Sequence, residues 1–532
     1  MAGTTDEVKI RELPEKTTID FSDKFIVEDN DGTKQVAASA LRSLMQKCIF
    51  YDNIEAMKSA SLQEGDVVQT LGYHEPHDGG GALYQILYKP TDLEDGMLIH
   101  YLHTSDTLRA HLVKPTAMNV LWAGAKGDGI TDDYTAIRKA LDSGLPVYFP
   151  NRTYKIRTTL EINTNTKDID FNGCTLKCES SACLSLVDVH NFTINNVVLA
   201  GKQGISIAGS CDRIRLVDCT ICAPSADIKQ QYGVLINGAK NITILNTVIG
   251  DYPYVAPTVY GVSIGIGTVN GSTVSPERIT IDNCYIQAEY HGIESNSTTT
   301  TKGLSISKCQ LCGVSTGSRD DIEAIGIWIG ANDKSINISD CGFVALLYGM
   351  QITSLVSPVV HATNNAFYDT RYAYSVLSNK AILALDGSQS FYGSEISGVD
   401  DYIFDRMGGT LNINTCNIVK NGTKLKNTAN TITGSVYDSN EGLDIYTANS
   451  AITKIELTDS LFNTTVYVPD GSVISSITDA IAGQKVKIMA KPGLTSVRSK
   501  VVAGDIIKLG GGKEETILPI TLRYTGSYWI EV

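Results

Sequence analysis

Between about Asp168 and Leu425 the chain keeps restarting one short pattern, and that recurrence limits the folds open to it more than any other feature. At Ile214, Leu216, Asp218, Cys219 and Ile221 it reads I-x-L-x-D-C-x-I. It returns at Ile242, Ile244, Asn246, Thr247 and Ile249, then at Ile279, Ile281, Asn283, Cys284 and Ile286. Two more copies run from Leu304 through Lys308 and Cys309 to Leu311, and from Ile336 through Asp340 and Cys341 to Phe343. Fainter ones lie at Ile169 to Leu176, Phe192 to Leu199, Val360 to Phe367 and Leu411 to Ile418.

Apolar and polar residues that alternate make a half-buried strand. Recurrence at uneven intervals of roughly 22 to 37 residues makes stacked coils with loops of variable length. A second strand follows in the middle coils, announced by an aromatic or His before Gly: Tyr232-Gly233, Tyr260-Gly261, His291-Gly292 and Tyr348-Gly349. Two or three short strands per coil with glycine corners describe an all-β chain, a right-handed parallel β-helix. Helix bundles and dinucleotide folds are excluded, because no long segments of helical period separate the strands.

Aligning the coils puts Cys174, Cys219, Cys284, Cys309, Cys341 and Cys416 in one column, with Val197, Thr247 and Asn365 between them. Small residues repeating at one position are what an interior ladder requires. Val and Thr could not replace a disulfide or metal ligand, so the twelve cysteines read as packing. A formal charge of -14 disfavours a nucleic-acid surface. No stretch approaches the roughly 20 apolar residues that span a bilayer, and no basic region followed by an apolar run opens the chain as a secretory signal would.

Residues 1–50 predict a small module: a strand at Lys24 to Glu28, a turn at Asp29 to Gly32, and an amphipathic helix from about Ala37 to Cys48. Residues 51–116 predict a β-rich unit in which Asp78-Gly79-Gly80-Gly81 is a turn, since no Gly-Lys-Ser/Thr follows. From Gly124 a glycine-rich turn leads to a helix capped by Thr131 or Asp132, with Ile137, Ala140 and Leu141 inward. Such a helix covers the open end of a solenoid. Asp128, Asp132 and Asp133 lack calcium-loop spacing and read as turn and cap chemistry. The coils occupy 117–434. In 435–532, Asp444 to Tyr446, Lys485 to Met489 and Asp505 to Leu509 read as antiparallel strands, ending in a hairpin around Thr525-Gly526-Ser527.

The run from Gly124 to Leu141 resembles the motif that opens pectate-lyase-like β-helices, as found in bacteriophage tailspikes and preneck appendages. Glu12-Leu13-Pro14, Phe25 to Glu28 and Gly32 to Leu44 are similar to the virion-attachment segment of such appendages, and Asp78 to Gly81 with Tyr84 to a stretch before their β-helices. The resemblance implies a homotrimer fixed to phage tail or collar proteins, with a β-helix that binds or depolymerises a surface polysaccharide or teichoic acid. It implies a virion location, and the lack of a bilayer-spanning stretch argues against membrane insertion. The strand pattern of 435–532, carried to the last residue, fits a β-sandwich that holds three chains together or grips a saccharide.

Chemistry is expected on the long middle loops. Asp251, Tyr252 and Tyr254 sit on one coil; Glu289, Tyr290, His291 and Glu294 on the next; Arg319, Asp320, Asp321, Glu323 and Trp328 on the one after. Aligned on the strand glycines, Ser263, Glu294, Trp328 and Gln351 share one outward column. Rungs are about 4.8 Å apart, and glycoside hydrolysis needs two carboxyls about 5 to 9.5 Å apart. The expectation is that Glu294 pairs with Asp320, Asp321 or Glu323, with Asp251 and Glu289 as further acids. Trp328, Tyr252, Tyr254, Tyr290, His291 and Arg319 would hold the sugar, with no metal or cofactor. The competing expectations are a non-catalytic receptor-binding appendage, a rigid spacer, and a polysaccharide lyase.

Overall fold

The computed structural model describes residues 24–29, 32–37 and 48–532, apart from breaks of which the longest are 251–257, 297–301, 315–321, 394–400, 427–434, 439–443, 448–453, 457–463 and 491–499. The chain divides into two compact units, Met1–Gly124 and Ala125–Val532.

In the first unit the expected strand, Lys24–Asp29, pairs antiparallel with Gly32–Ala37, a second strand that the sequence pattern does not mark. Of the helix predicted from about Ala37 to Cys48, residues 38–47 lie outside the described residues, and its two end residues lie on strands. Strands Cys48–Tyr51, Val67–Thr70, Leu83–Tyr88, Ser105–Leu112 and Ile99–Leu102 then form one sheet in that spatial order. Its core holds Met57, Val68, Tyr84 and Ile86. The Asp78 carboxylate accepts from the backbone N–H groups of Tyr73, His74, Glu75 and Gly80, which makes the glycine run a turn.

The second unit opens with strand Asp128–Asp132 and helix Tyr134–Asp142, which buries Ile137, Ala140 and Leu141. Asp133, not Thr131 or Asp132, holds the N-cap position. Its carboxylate turns back to accept from Lys126 N and Gly127 N at 2.7 and 3.0 Å, while Asp132 Oδ1 accepts from Tyr134 N at 3.2 Å. Asp128 accepts from the backbone of Ile130 and Thr131. These acids close a turn.

The coils stack as a parallel β-helix. Ile214, Ile242, Ile279, Leu304, Ile336, Val360 and Leu383 follow one another in register and face the interior, each at most 2% exposed. After each first strand the chain turns through a left-handed residue: Asp218, Asn246, Asn283, Lys308 and Asp340 all have φ between 50 and 55°. Asn and Asp tolerate that conformation best, which explains their recurrence. The next residue points inward and donates to the carbonyl two positions back: Cys219 to Val217, Thr247 to Leu245, Cys284 to Asp282, Cys309 to Ser307 and Cys341 to Ser339. Cys and Thr recur there because each is small and carries one donor for a buried carbonyl.

Cys416 does not join the column. A register irregularity between Leu385 and Gly387 brings it opposite Gly387, two residues out of step. Gln389 fills the rung after Asn365 instead, and its amide donates to Ala362 O at 2.8 Å. Burial pushes the Cys219 thiol up to about 11 and the Cys222 thiol to about 12. Iodoacetamide at neutral pH should therefore leave Cys219, Cys222, Cys284 and Cys341 unmodified in the native chain and alkylate them after unfolding. Peptide mass spectrometry reads this, and rapid native labelling would contradict the interior ladder.

Parallel pairing continues to Ser435–Asp438, slightly beyond the expected end of the ladder. The antiparallel expectation for the following strands holds only in part: Lys485–Ala490 pairs antiparallel with Ile520–Tyr524, while the other pairings of the three predicted strands are parallel. Asp444–Thr447, Thr464–Val468 and Lys485–Ala490 pair parallel, as do Ile507–Lys508 and Trp529–Glu531. Alternation records which face is buried and carries no information on strand direction. The terminal hairpin is antiparallel as expected, with Ile520–Tyr524 against Trp529–Glu531. Trp529 is fully buried with Val486, Ile488 and Leu522.

Candidate functional site

The second strands of the coils form a sheet whose registry is governed by glycine. Gly233, Gly261 and Gly292 lie on consecutive rungs, and a Cβ on Gly261 would sit 2.4 Å from both Gly292 O and Ile286 Cγ2. Only hydrogen fits there, so an aromatic or His must be followed by Gly. Past the glycine, strict alternation resumes. In strand Tyr285–Asn296, Ile293 and Ser295 take interior positions and Glu294 the outward one between them.

The expected outward column is present: Ser263 faces Glu294, Glu294 faces Trp328, and Trp328 faces Gln351. Yet Glu294 is only 6% exposed, far from the solvated loop charge an acidic chain would supply. One of its oxygens accepts from Ser263 Oγ, and the other lies 2.8 Å from His291 Nδ1. An ionised carboxylate only accepts, so that contact assigns the imidazole proton to Nδ1. Nε2 has no hydrogen-bond partner among the described residues. The His291 ring lies flat against Trp328, 5.3 Å between centroids and 9° between planes. Tyr260 meets its edge at 5.5 Å. Burial, then the charge of Glu294, pushes the Tyr260 phenol above its ordinary value.

Aromatic groups extend from this cluster along the neighbouring column, that of His291, which Ile325 interrupts. Tyr232 stacks on Tyr260 at 5.1 Å, and Tyr290, 43% exposed, meets Tyr260 edge-on. Farther on, Tyr348, Tyr372 and Tyr402 stack at 5.2 and 5.8 Å. The result is a buried carboxylate that fixes an imidazole, flanked by aromatic faces on which a sugar ring can stack. Chemically, the pair can move a proton at His291 Nε2 while Glu294 holds the tautomer.

The structure therefore brings Glu294, His291, Trp328 and Tyr290 together. Glu289 lies apart from them in its bonding, with both oxygens 2.7 Å from Lys229 Nζ. Glu323 is exposed and precedes the strand that carries Trp328. Asp251, Tyr252, Tyr254, Arg319, Asp320 and Asp321 lie outside the described residues. Sequence reasoning passed over Ser263, Tyr232 and Tyr260 as site residues, although the aromatic-Gly signal had marked both tyrosines. Among the described residues no group of three or more His, Cys, Asp or Glu is arranged to hold a metal.

Residues 117–173 match the family Rhamnogalacturonase A/epimerase, pectate lyase-like. The preneck appendage protein of Bacillus phage PZA is 43% identical over 54 residues, 10% of this chain and 6% of that protein. The pre-neck appendage protein of Bacillus phage B103 is 26% identical over 211 residues, 37% of this chain and 23% of that protein. The matches thus span less than a quarter of these relatives. Among solved structures, the enzymatically active domain of tailspike protein 4 from bacteriophage CBA120 aligns with a TM-score of 0.50 at 14% identity. That alignment covers 72% of this chain and 56% of the other, and the likeness is one of fold.

Proposed function

We propose that this chain is a phage tail appendage whose β-helix binds and cuts a glycan of the host cell surface, a polysaccharide or a teichoic acid. The cluster around Glu294 does the cutting. The observation that carries the reading is an outward-column carboxylate kept 6% exposed between Ser263 and His291, beside Trp328. Burying such a group is costly, and a coil needs no acid at that position, where Leu235 and Ser375 serve elsewhere in the same column. Similarity to phage appendage proteins supports the tail setting.

In this proposal the reaction is hydrolysis. Glu294 and His291 form one proton-handling partner, and an acid of the 320–323 segment (Asp320, Asp321 or Glu323) is the second. The chain acts as a homotrimer held to tail or collar proteins through its first 50 residues. Incubating the purified protein with surface glycan of the bacterium its phage infects should release new reducing ends. Glycan binding without new ends would reduce the chain to an adhesin and reject the proposal.

One observation favours a second reaction. An imidazole backed by a carboxylate is a base, and abstraction of a proton beside a uronate carboxyl cleaves the chain by elimination, without water. That product carries a new C=C bond and absorbs in the far ultraviolet, whereas the hydrolytic product does not.

A further inference from the structure

Three rungs before Glu294, the same face holds a hollow of about 450 Å³. Ser185 and Ser206 face each other on adjacent rungs of the column that runs on through Leu235 and Ser263 to Glu294. The separation is roughly 14 Å. Lys202, Gln203, Gln231 and Tyr232 complete the wall, and Tyr232 is the same ring that stacks on Tyr260. Aromatic faces therefore lead from this hollow to the Glu294 cluster.

The polar groups here are uncommitted. Ser185, Ser206, Gln203 and Gln231 make no side-chain hydrogen bond within the described residues, unlike Thr159 and Ser181 at the rim, which bond each other at 3.0 Å. Lys202 is exposed, forms no ion pair with a described residue, and is the one charged group among the lining residues. In a chain of net charge -14, a lone ammonium ringed by hydroxyls and amides is a local reversal of field. We propose that this hollow is a glycan subsite that selects an acidic sugar, its carboxylate or phosphate on Lys202 and its hydroxyls on Ser185, Ser206 and Gln203. This rests on the reading of the Glu294 face as the glycan track, and the hollow sets which polymer is accepted.

The test is saturation-transfer NMR of the full chain at low salt with three probes: glucuronate, glucose 6-phosphate and glucose. An acidic sugar should bind more tightly than glucose, and Lys202→Met should weaken it about tenfold while Lys202→Arg retains most of the affinity. Preference for glucuronate identifies a uronic acid, and preference for glucose 6-phosphate a phosphorylated glycan. Equal binding of glucose, no binding of any probe, or an unchanged Lys202→Met would each overturn the subsite. The same titration on Glu294→Gln separates the two ideas. Acidic-sugar binding that survives there, with cleavage also surviving, rejects the catalytic cluster and leaves the hollow standing.

Discussion

Glu294→Gln will yield a folded protein that still binds its glycan and cuts it roughly 10² to 10⁴ times more slowly, the range that positioned proton transfer supplies. The substitution is nearly isosteric, so the amide oxygen can still accept from Ser263. What changes is the face toward His291, 2.8 Å away, where the negative charge that backs the imidazole is lost whichever way the amide turns. With its nitrogen toward the ring, a donor, His291 Nδ1 must accept, its proton moves to Nε2, and the free lone pair there is lost as well. Reducing-end assays of wild type and variant at equal concentration check it, with denaturant unfolding as the control for folding. A variant that cuts at the wild-type rate would remove Glu294 from the chemistry.

The largest structural effect is expected at Gly261. Placing Val there forces a Cβ to within 2.4 Å of a backbone carbonyl on the next rung and of a core Ile methyl, with its two γ carbons adding to the crowding. Overpacking commonly costs 1–3 kcal/mol. Because one obstacle here is backbone that also pairs the next rung, the loss should reach at least about 3 kcal/mol. Gly342→Ala is the control. A Cβ there meets nothing within 4 Å, and its backbone is not left-handed, so its urea midpoint should move by no more than about 0.5 kcal/mol equivalent. Similar shifts for both would mean that the glycine column is not what brings the rungs together.

These two positions also show what the sequence could disclose. A solenoid repeats its demands at every coil, so the same residue types recur: Ile at interior positions, Asn or Asp at left-handed corners, Cys or Thr at the inward donor, Gly where rungs touch. Repetition makes the fold legible, and by itself it sets Glu294 opposite Trp328. Departures from repetition were not legible. Cys416 slips because the step from Ile413 to Cys416 is one residue longer than the step from Leu385 to Gly387 that it faces, and one sequence cannot show which of two neighbouring residues takes a rung. Strand direction after residue 440 is only half legible, antiparallel for Lys485–Ala490 against Ile520–Tyr524 but parallel against Thr464–Val468, because the alternation of apolar residues is the same for either partner. Within the site, the column identified Glu294's rung neighbours. The bond to His291, three residues earlier on its own strand, depends on how the chain passes Gly292, and no periodicity encodes it.

The most direct measurement is a crystal structure of Glu294→Gln with an oligosaccharide from the surface glycan that the proposed function assigns to it. The account predicts sugar lying along the outward column, stacked on Trp328 and the Tyr232–Tyr260 pair, with a glycosidic linkage within hydrogen-bond reach of His291 Nε2. Sugar bound on another face of the coils, with His291 and Trp328 untouched, would contradict it.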